Sequence, residues 1–267
     1  MNIQELEMVA LLKDLRDNYN VVEVKTEFED EAARLNEIMR LKDVVEKVGL
    51  GLIIKIGGPE AVRDMYDAYI VGVTGIVAPM VESAYALKKY LSAINTFIPQ
   101  DVSLYIKFAV NIETIQAFQN LDEMFITKGL ERLGRITIGR VDLSGSMGLH
   151  RDDINCQQVF EITREVCQKA RRIGLETTLG GGIARESIPF IRRLWEDRLL
   201  DRFETRKIVF KVQETFDEAI IERGIVRANC FELLWLENKR KYYTRIANED
   251  VERIKMLRSR VDETFQV

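Results

Sequence analysis

Residues 135–148 read RITIGRVDLSGSMG. A β-branched apolar run ends on Arg140 and Asp142 and then dissolves into serine and glycine. A strand needed only for packing would close with a neutral turn. A charged pair at its carboxyl end, ahead of residues that bend, presents Asp142 to a ligand, because α/β folds bind ligands at the carboxyl ends of their strands.

The same pattern recurs along the chain. VVEV at 21–24 leads into a helical pattern over 29–48, with Leu35, Ile38, Leu41, Val45 and Val48 at helical spacing. LIIKI at 52–56 precedes 59–70, GIVAP at 75–79 precedes 83–95, and SLYIKFAV at 103–110 precedes 112–120. RITIGRVD at 135–142 precedes 152–173, ETTLG at 176–180 precedes 185–198, and ETRKIVF at 204–210 precedes 214–237. Strands apolar on both faces that alternate with helices predict a parallel sheet covered by helices. Seven units are one short of a (β/α)8 barrel. The reading is a TIM-type barrel over 1–237 with one strand missing or degenerate, and a doubly wound sheet is the alternative.

Residues 238–267 form a charged C-terminal helical extension. Asn248 suits an N-cap, Glu249 and Asp250 suit a first turn, and Val251, Ile254, Leu257, Val261 and Phe265 make one apolar stripe. That stripe must cover its own barrel or a neighbouring subunit.

Composition narrows the partners. The 267 residues have a formal net charge of −4, which supports no nucleic-acid or acidic-membrane partner. No apolar run approaches the ~20 residues that span a bilayer, and no signal peptide is visible. Three cysteines, Cys156, Cys167 and Cys230, are sparse, odd in number and lack metal-ligand spacing. They point to a reducing, cytoplasmic setting.

The strand ends carry many charges. Lys25 and Glu27 follow the first strand, Lys55 lies in LIIKIGG, and Lys107 lies within the fourth strand, which Asn111 and Glu113 close. Arg140 and Asp142 close the fifth, LGGGI the sixth, and Thr205 and Arg206 sit in the seventh. Buried charges persist when paired or bound to a metal or ligand. Internal salt bridges explain any one of these residues, whereas a site explains the set. Glu113 and Asp142 together suit a hard divalent cation completed by water. Lys55, Arg140 or Arg206 is suited to a substrate carboxylate. The LGGGI glycines fit either an anion at backbone N–H groups or close strand–helix packing. His150, in a flexible stretch, reads as solvated.

NIET at 111–114 followed by ITIGRVDLSGSMG at 136–148 resembles the metal-binding strands of the pyruvate/phosphoenolpyruvate-binding barrels, the group of class II hydroxy-keto-acid aldolases and citrate lyase β-subunits. GIVAPMVES at 75–83 is similar to that family's Val-Pro-Met-Val strand, so the likeness covers roughly residues 20 to 210. The resemblance implies Mg²⁺ or Mn²⁺ held by Glu113 and Asp142, a pyruvate-like 2-keto acid, and chemistry at the carbon–carbon bond beside its carbonyl. It places Asn111 where the family has glutamine, Lys55 where it has a substrate-binding arginine, and Ser144 within the Asp-Leu-Ser motif as a substrate-binding candidate. It also implies a homo-oligomer, a trimer or hexamer that exchanges the C-terminal helix. Where aldolases of the group carry Asp-x-Glu-His, this chain has Lys25-Thr26-Glu27-Phe28. Lys25, Glu27 and Lys55 are therefore the catalytic candidates, with Glu27 or Lys25 moving the proton. Two other readings stay open: a metal-free Schiff base on Lys25, Lys55 or Lys107, and a non-catalytic binding or assembly member.

Overall fold

Side chains alternate across a strand, so in VVEVKTE the charged Glu23, Lys25 and Glu27 share one side while Val24 and Thr26 take the other. The computed structural model, which describes residues 1–262, closes eight strands into a barrel in chain order. They are β1 (Val21–Glu27), β2 (Gly51–Lys55), β3 (Gly75–Ala78), β4 (Lys107–Ile112), β5 (Leu133–Gly139), β6 (Glu176–Gly180), β7 (Arg202–Glu204) and β8 (Ile208–Lys211). β1 to β7 pair in parallel, and β8 runs antiparallel to both β7 and β1.

The TIM-type barrel is thus the fold, and its missing strand is accounted for. ETRKIVF is not one strand but a hairpin whose turn, 205–207, joins β7 to β8. A connection that short cannot hold a crossover helix, so β8 must return antiparallel. Two other strand ends shift. β5 stops at Gly139, so Arg140 and Asp142 lie in a short helix, Arg140–Ser146, rather than in the strand. Lys107 is the first residue of β4, at the end of the barrel opposite Asn111 and Glu113, and pairs with Glu176 at 3.5 Å.

Strands were expected to be apolar on both faces, but their inner face is polar at both ends. Glu23 takes Arg135 at 3.0 Å and Arg202 at 2.6 Å near the amino-terminal mouth. Ile53, Val77, Ala109 and Val209 fill the middle. The charged ends of Lys25, Glu27, Lys55 and Glu204 gather above that layer. The outer face is apolar: Val24, Ile54, Ile76, Val110, Ile136 and Leu179 are buried under the helices. The helix Leu35–Val48 shows how: Ile38, Leu41, Val44, Val45 and Val48 recur at the helical period and bury one stripe, and Gly49 at φ 72° ends it.

The helix Glu218–Glu249, capped by the Asp217 side chain on Ile220 N, is 32 residues and about 48 Å long. It packs along the N-terminal helix Ile3–Tyr19 and buries Ile225, Ala228, Phe231 and Trp235. Asn248 lies inside it rather than capping the next helix, and the break falls at Asp250. The last helix, Val251–Asp262, carries Val251, Ile254, Leu257 and Val261, all exposed. Phe265 lies outside the described residues. Among the described residues no helix is long and apolar enough to cross a membrane, and the three cysteines are free.

Candidate active site

The carboxyl ends of the strands surround a cavity of about 690 Å³. Among its lining residues are seven carboxylates and four cations. Lys25, Glu27, Lys55, Asn111, Glu113, Asp142 and Arg206 all line it, so seven of the sequence candidates meet.

Most of the charge is already paired. Lys25 Nζ lies 2.5 Å from Glu204 and 3.2 Å from Glu27. Lys55 Nζ lies 3.3 Å from Glu27 and 2.5 Å from Glu29. Arg206 pairs with Asp30 and Glu31. Burial opposes the charge on both lysines, but Glu204 and Glu27 around Lys25, and Glu27 and Glu29 around Lys55, outweigh it and raise both pKa values. Burial alone would raise Glu27, yet Lys25, Lys55 and Arg206 hold it below its ordinary range. These are fixed ions, not groups poised to exchange protons.

Glu113 and Asp142 differ. Glu113, the residue just past β4, is 2 % exposed. Its Oε1 accepts from Met80 N at 2.9 Å and its Oε2 from Asn111 Nδ2 at 2.9 Å. Desolvation raises its pKa against those hydrogen bonds and the charge of Lys55, and Asp142 adds to the rise. Asp142 stands in the first turn of the helix after β5, and its side chain makes no hydrogen bond or ion pair with a described residue. Partial desolvation raises its pKa too, aided by Glu29, Asp30 and Glu27 and opposed by Lys55. Gly139 lets the two strands approach: a Cβ there would lie 2.5 Å from Glu113 Oε2. Asn111 Oδ1 is buried without a donor.

That donor set fits a hard divalent cation. Two carboxylates with no counter-charge of their own and one unpartnered amide oxygen match the few protein oxygens that Mg²⁺ accepts alongside water. Among the described residues, no three His, Cys, Asp or Glu side chains form a ready-made metal cluster.

Three of the candidates lie away from the cavity. Arg140 is fully buried and does not reach the cavity. Its guanidinium donates to Gly180 O, Gly181 O, Asn155 Oδ1 and Ser187 Oγ at 2.5–3.2 Å and lies over the Phe190 ring. Ser144 is buried and donates to Val141 O at 2.9 Å, away from the cavity. Lys107, at the opposite mouth, is excluded from Schiff-base chemistry here. The LGGGI glycines serve close packing, since a Cβ on Gly181 would lie 2.5 Å from Arg140 N. Exposed His150 lies outside the cavity lining.

Sequence reasoning missed Glu29, Asp30, Arg151, Glu204, Asn229 and Glu232, which also line the cavity. Glu204 had a visible signal, a charge at a strand end. Arg151, Asn229 and Glu232 had none, because they come from a short 3-10 turn, Arg151–Asn155, and from the long C-terminal helix.

The profile of the HpcH/HpaI aldolase/citrate lyase family matches residues 30–180. An HpcH/HpaI aldolase from Desulfitobacterium hafniense DCB-2 superposes with a TM-score of 0.59 at 16% identity, over 74% of this chain and 81% of that one. An HpcH/HpaI aldolase/citrate lyase family protein from Burkholderia cenocepacia J2315 gives 0.59 at 14% identity, over 93% and 90%. A variant of the citrate synthase SbnG gives 0.57 at 17% identity, over 89% and 90%. At these identities the likeness is one of fold. A search of curated proteins by sequence returns no match.

Proposed function

The chain belongs to the HpcH/HpaI aldolase/citrate lyase family, and from that premise we propose a divalent-metal-dependent lyase that makes or breaks the carbon–carbon bond beside a 2-keto acid's carbonyl. One observation carries the reading: Glu113 and Asp142 meet in one cavity, both with raised pKa and neither paired with a cation.

Glu113 and Asp142 would hold Mg²⁺ or Mn²⁺, with Asn111 Oδ1 as a further oxygen. Such an ion supplies a Lewis acid that polarises the keto-acid carbonyl and offsets charge developing on its oxygen. The chain's own groups do the rest. Met80 N–H and Asn111 Nδ2 grip one oxygen each of Glu113 and fix the carboxylate's orientation. Arg151 receives the substrate carboxylate, because among the lining cations it alone has no carboxylate partner among the described residues. Its planar fork suits that task. Lys55 and Arg206 add positive potential nearby while remaining tied to Glu27, Glu29 and Asp30.

The lysine route is disfavoured. A Schiff base needs a neutral amine, and Lys25 and Lys55 are held as ammonium ions. Borohydride with pyruvate therefore traps no adduct on either residue.

The exposed stripe Val251, Ile254, Leu257 and Val261 supports assembly with further copies, for which the family resemblance implies a trimer or hexamer. The free cysteines support a cytoplasmic setting.

Calorimetry tests the central reading. Mg²⁺ or Mn²⁺ should bind, bind more tightly with pyruvate or oxaloacetate, and bind at least ten-fold more weakly to Asp142→Asn, about 1.4 kcal/mol. Absence of binding in the wild type would overturn the metal assignment.

A further inference from the structure

The proposed chemistry needs a proton carrier, and the family's histidine is replaced by Phe28, which packs against the hydrophobic core. The lining groups can be sorted by what already holds them. Lys25 is bound to Glu204 and Glu27, Lys55 to Glu27 and Glu29, and Arg206 to Asp30. Glu113 and Asp142 are committed to the cation. One lining carboxyl remains outside every pair: Glu232, on the helix Glu218–Glu249, makes no hydrogen bond or ion pair with a described residue.

Resting on the lyase reading above, we propose that Glu232 is the catalytic base and acid of this site, delivered by the C-terminal helix rather than by a strand end. Its surroundings suit the task. The groups acting on it are Lys207 and Arg206 of the β7–β8 hairpin, Glu27 at the end of β1 and Glu31 just beyond it. Partial burial raises the Glu232 pKa, Lys207 and Arg206 pull it down, and Glu31 and Glu27 push it up. The net rise moves the carboxyl toward neutral pH, where a general base works best. Glu27, flanked by three cations, moves the other way and is the weaker base.

In the enolising direction, Glu232 takes a proton from the carbon next to the keto group. The C–H electron pair becomes the C=C bond, and the carbonyl π pair moves onto oxygen. In the return direction the same carboxylic acid protonates that carbon, so protons and electrons balance and no outside reductant or oxidant is needed.

The test is deuterium exchange into the pyruvate methyl group in D₂O with Mg²⁺, read by ¹H NMR, on wild type, Glu232→Gln and Glu232→Asp. Wild type should exchange, and E232Q should be slowed roughly 100-fold or more, with E232D recovering part. Mg²⁺ binding to E232Q by calorimetry should match the wild type. In metal-free protein, the infrared C=O band of a protonated carboxyl, absent from E232Q, should titrate above the ordinary carboxylate range. Exchange in E232Q at the wild-type rate, or no such band, overturns the assignment alone. No exchange in the wild type overturns both this assignment and the lyase reading beneath it.

Discussion

Met80 donates its backbone N–H to Glu113 Oε1 across 2.9 Å, from a left-handed backbone at φ 51°. A non-glycine residue in that region costs on the order of 1 kcal/mol. The segment Pro79-Met80-Val81 thus carries strain while aiming one donor at a buried carboxylate. Asn111 holds the other oxygen, so Glu113 is positioned at once from the loop after β3 and from β4.

That positioning depends on space at Gly139. An added Cβ would lie 2.5 Å from Glu113 Oε2 and 2.8 Å from Glu113 Cβ. Gly139→Ala is expected to displace Glu113 and weaken Mg²⁺ binding at least ten-fold by calorimetry. Overpacking should also cost about 1–3 kcal/mol of stability in urea unfolding. Gly134→Ala, on the same strand with nothing within 4 Å of the added atom, should leave metal binding unchanged.

The raised pKa values of Glu113 and Asp142 set a pH dependence. Desolvation makes the folded chain bind these protons more tightly than the unfolded chain does. Their stabilising contribution is therefore full below the unfolded carboxylate range and lost as pH rises through the raised folded values. Once both are deprotonated, the metal-free site is a repulsive pair that a cation relieves. The increase in Tm given by Mg²⁺ should be largest at neutral pH and shrink as the solution is acidified through the raised range. Glu113→Gln should remove most of this dependence and stabilise the metal-free chain at neutral pH. A Mg²⁺-induced rise in Tm that stays constant across that range would contradict the assignment.

Much of this was legible in the sequence for a definite reason. Alternating apolar runs and helical patterns mark the strands and hence their carboxyl ends, so Glu113 and Asp142 could be placed at one mouth from the sequence. The eighth strand was hidden because β7 and β8 are only 3 and 4 residues long and share one charged run. Arg140 misled because its position beside Asp142 says nothing about direction. Its side chain turns back beneath the Gly180–Gly181 backbone, a choice made by tertiary packing. Glu232 was invisible for a similar reason: on a long charged helix, nothing local marks the turn whose side chains line the cavity.

The Arg140 contacts make a prediction that separates a structural role from a binding one. Four acceptors, two of them backbone carbonyls, depend on one buried guanidinium. Ser187 Oγ keeps its bonds to Ala184 N and Gly182 O, but Arg140→Met takes the guanidinium donors from Gly180 O, Gly181 O and Asn155 Oδ1 and should cost roughly 3 kcal/mol or more in urea unfolding. Arg140→Lys should recover little of that, because one ammonium cannot reach all four acceptors in their fork arrangement. A residue that bound substrate would behave differently, raising KM with stability intact.

The proposed assembly rests on the C-terminal stripe. Ile254 is 45 % and Leu257 42 % exposed, on a helix that follows the 32-residue helix lying along the barrel. Burying such side chains against another copy contributes about 1.5–3 kcal/mol each, and an interface repeats the contribution in every subunit. A glutamate at either position would have to be buried unpaired, which is unfavourable by more than the lost contact. Light scattering should therefore give the wild type a mass that is a multiple of 30.9 kDa, and the Ile254→Glu, Leu257→Glu double variant a mass of one chain. The barrel itself should be unaffected, with unchanged far-UV circular dichroism, since neither side chain is part of the core. A monomeric wild type would remove the oligomer from the proposed function and leave the stripe without an occupant.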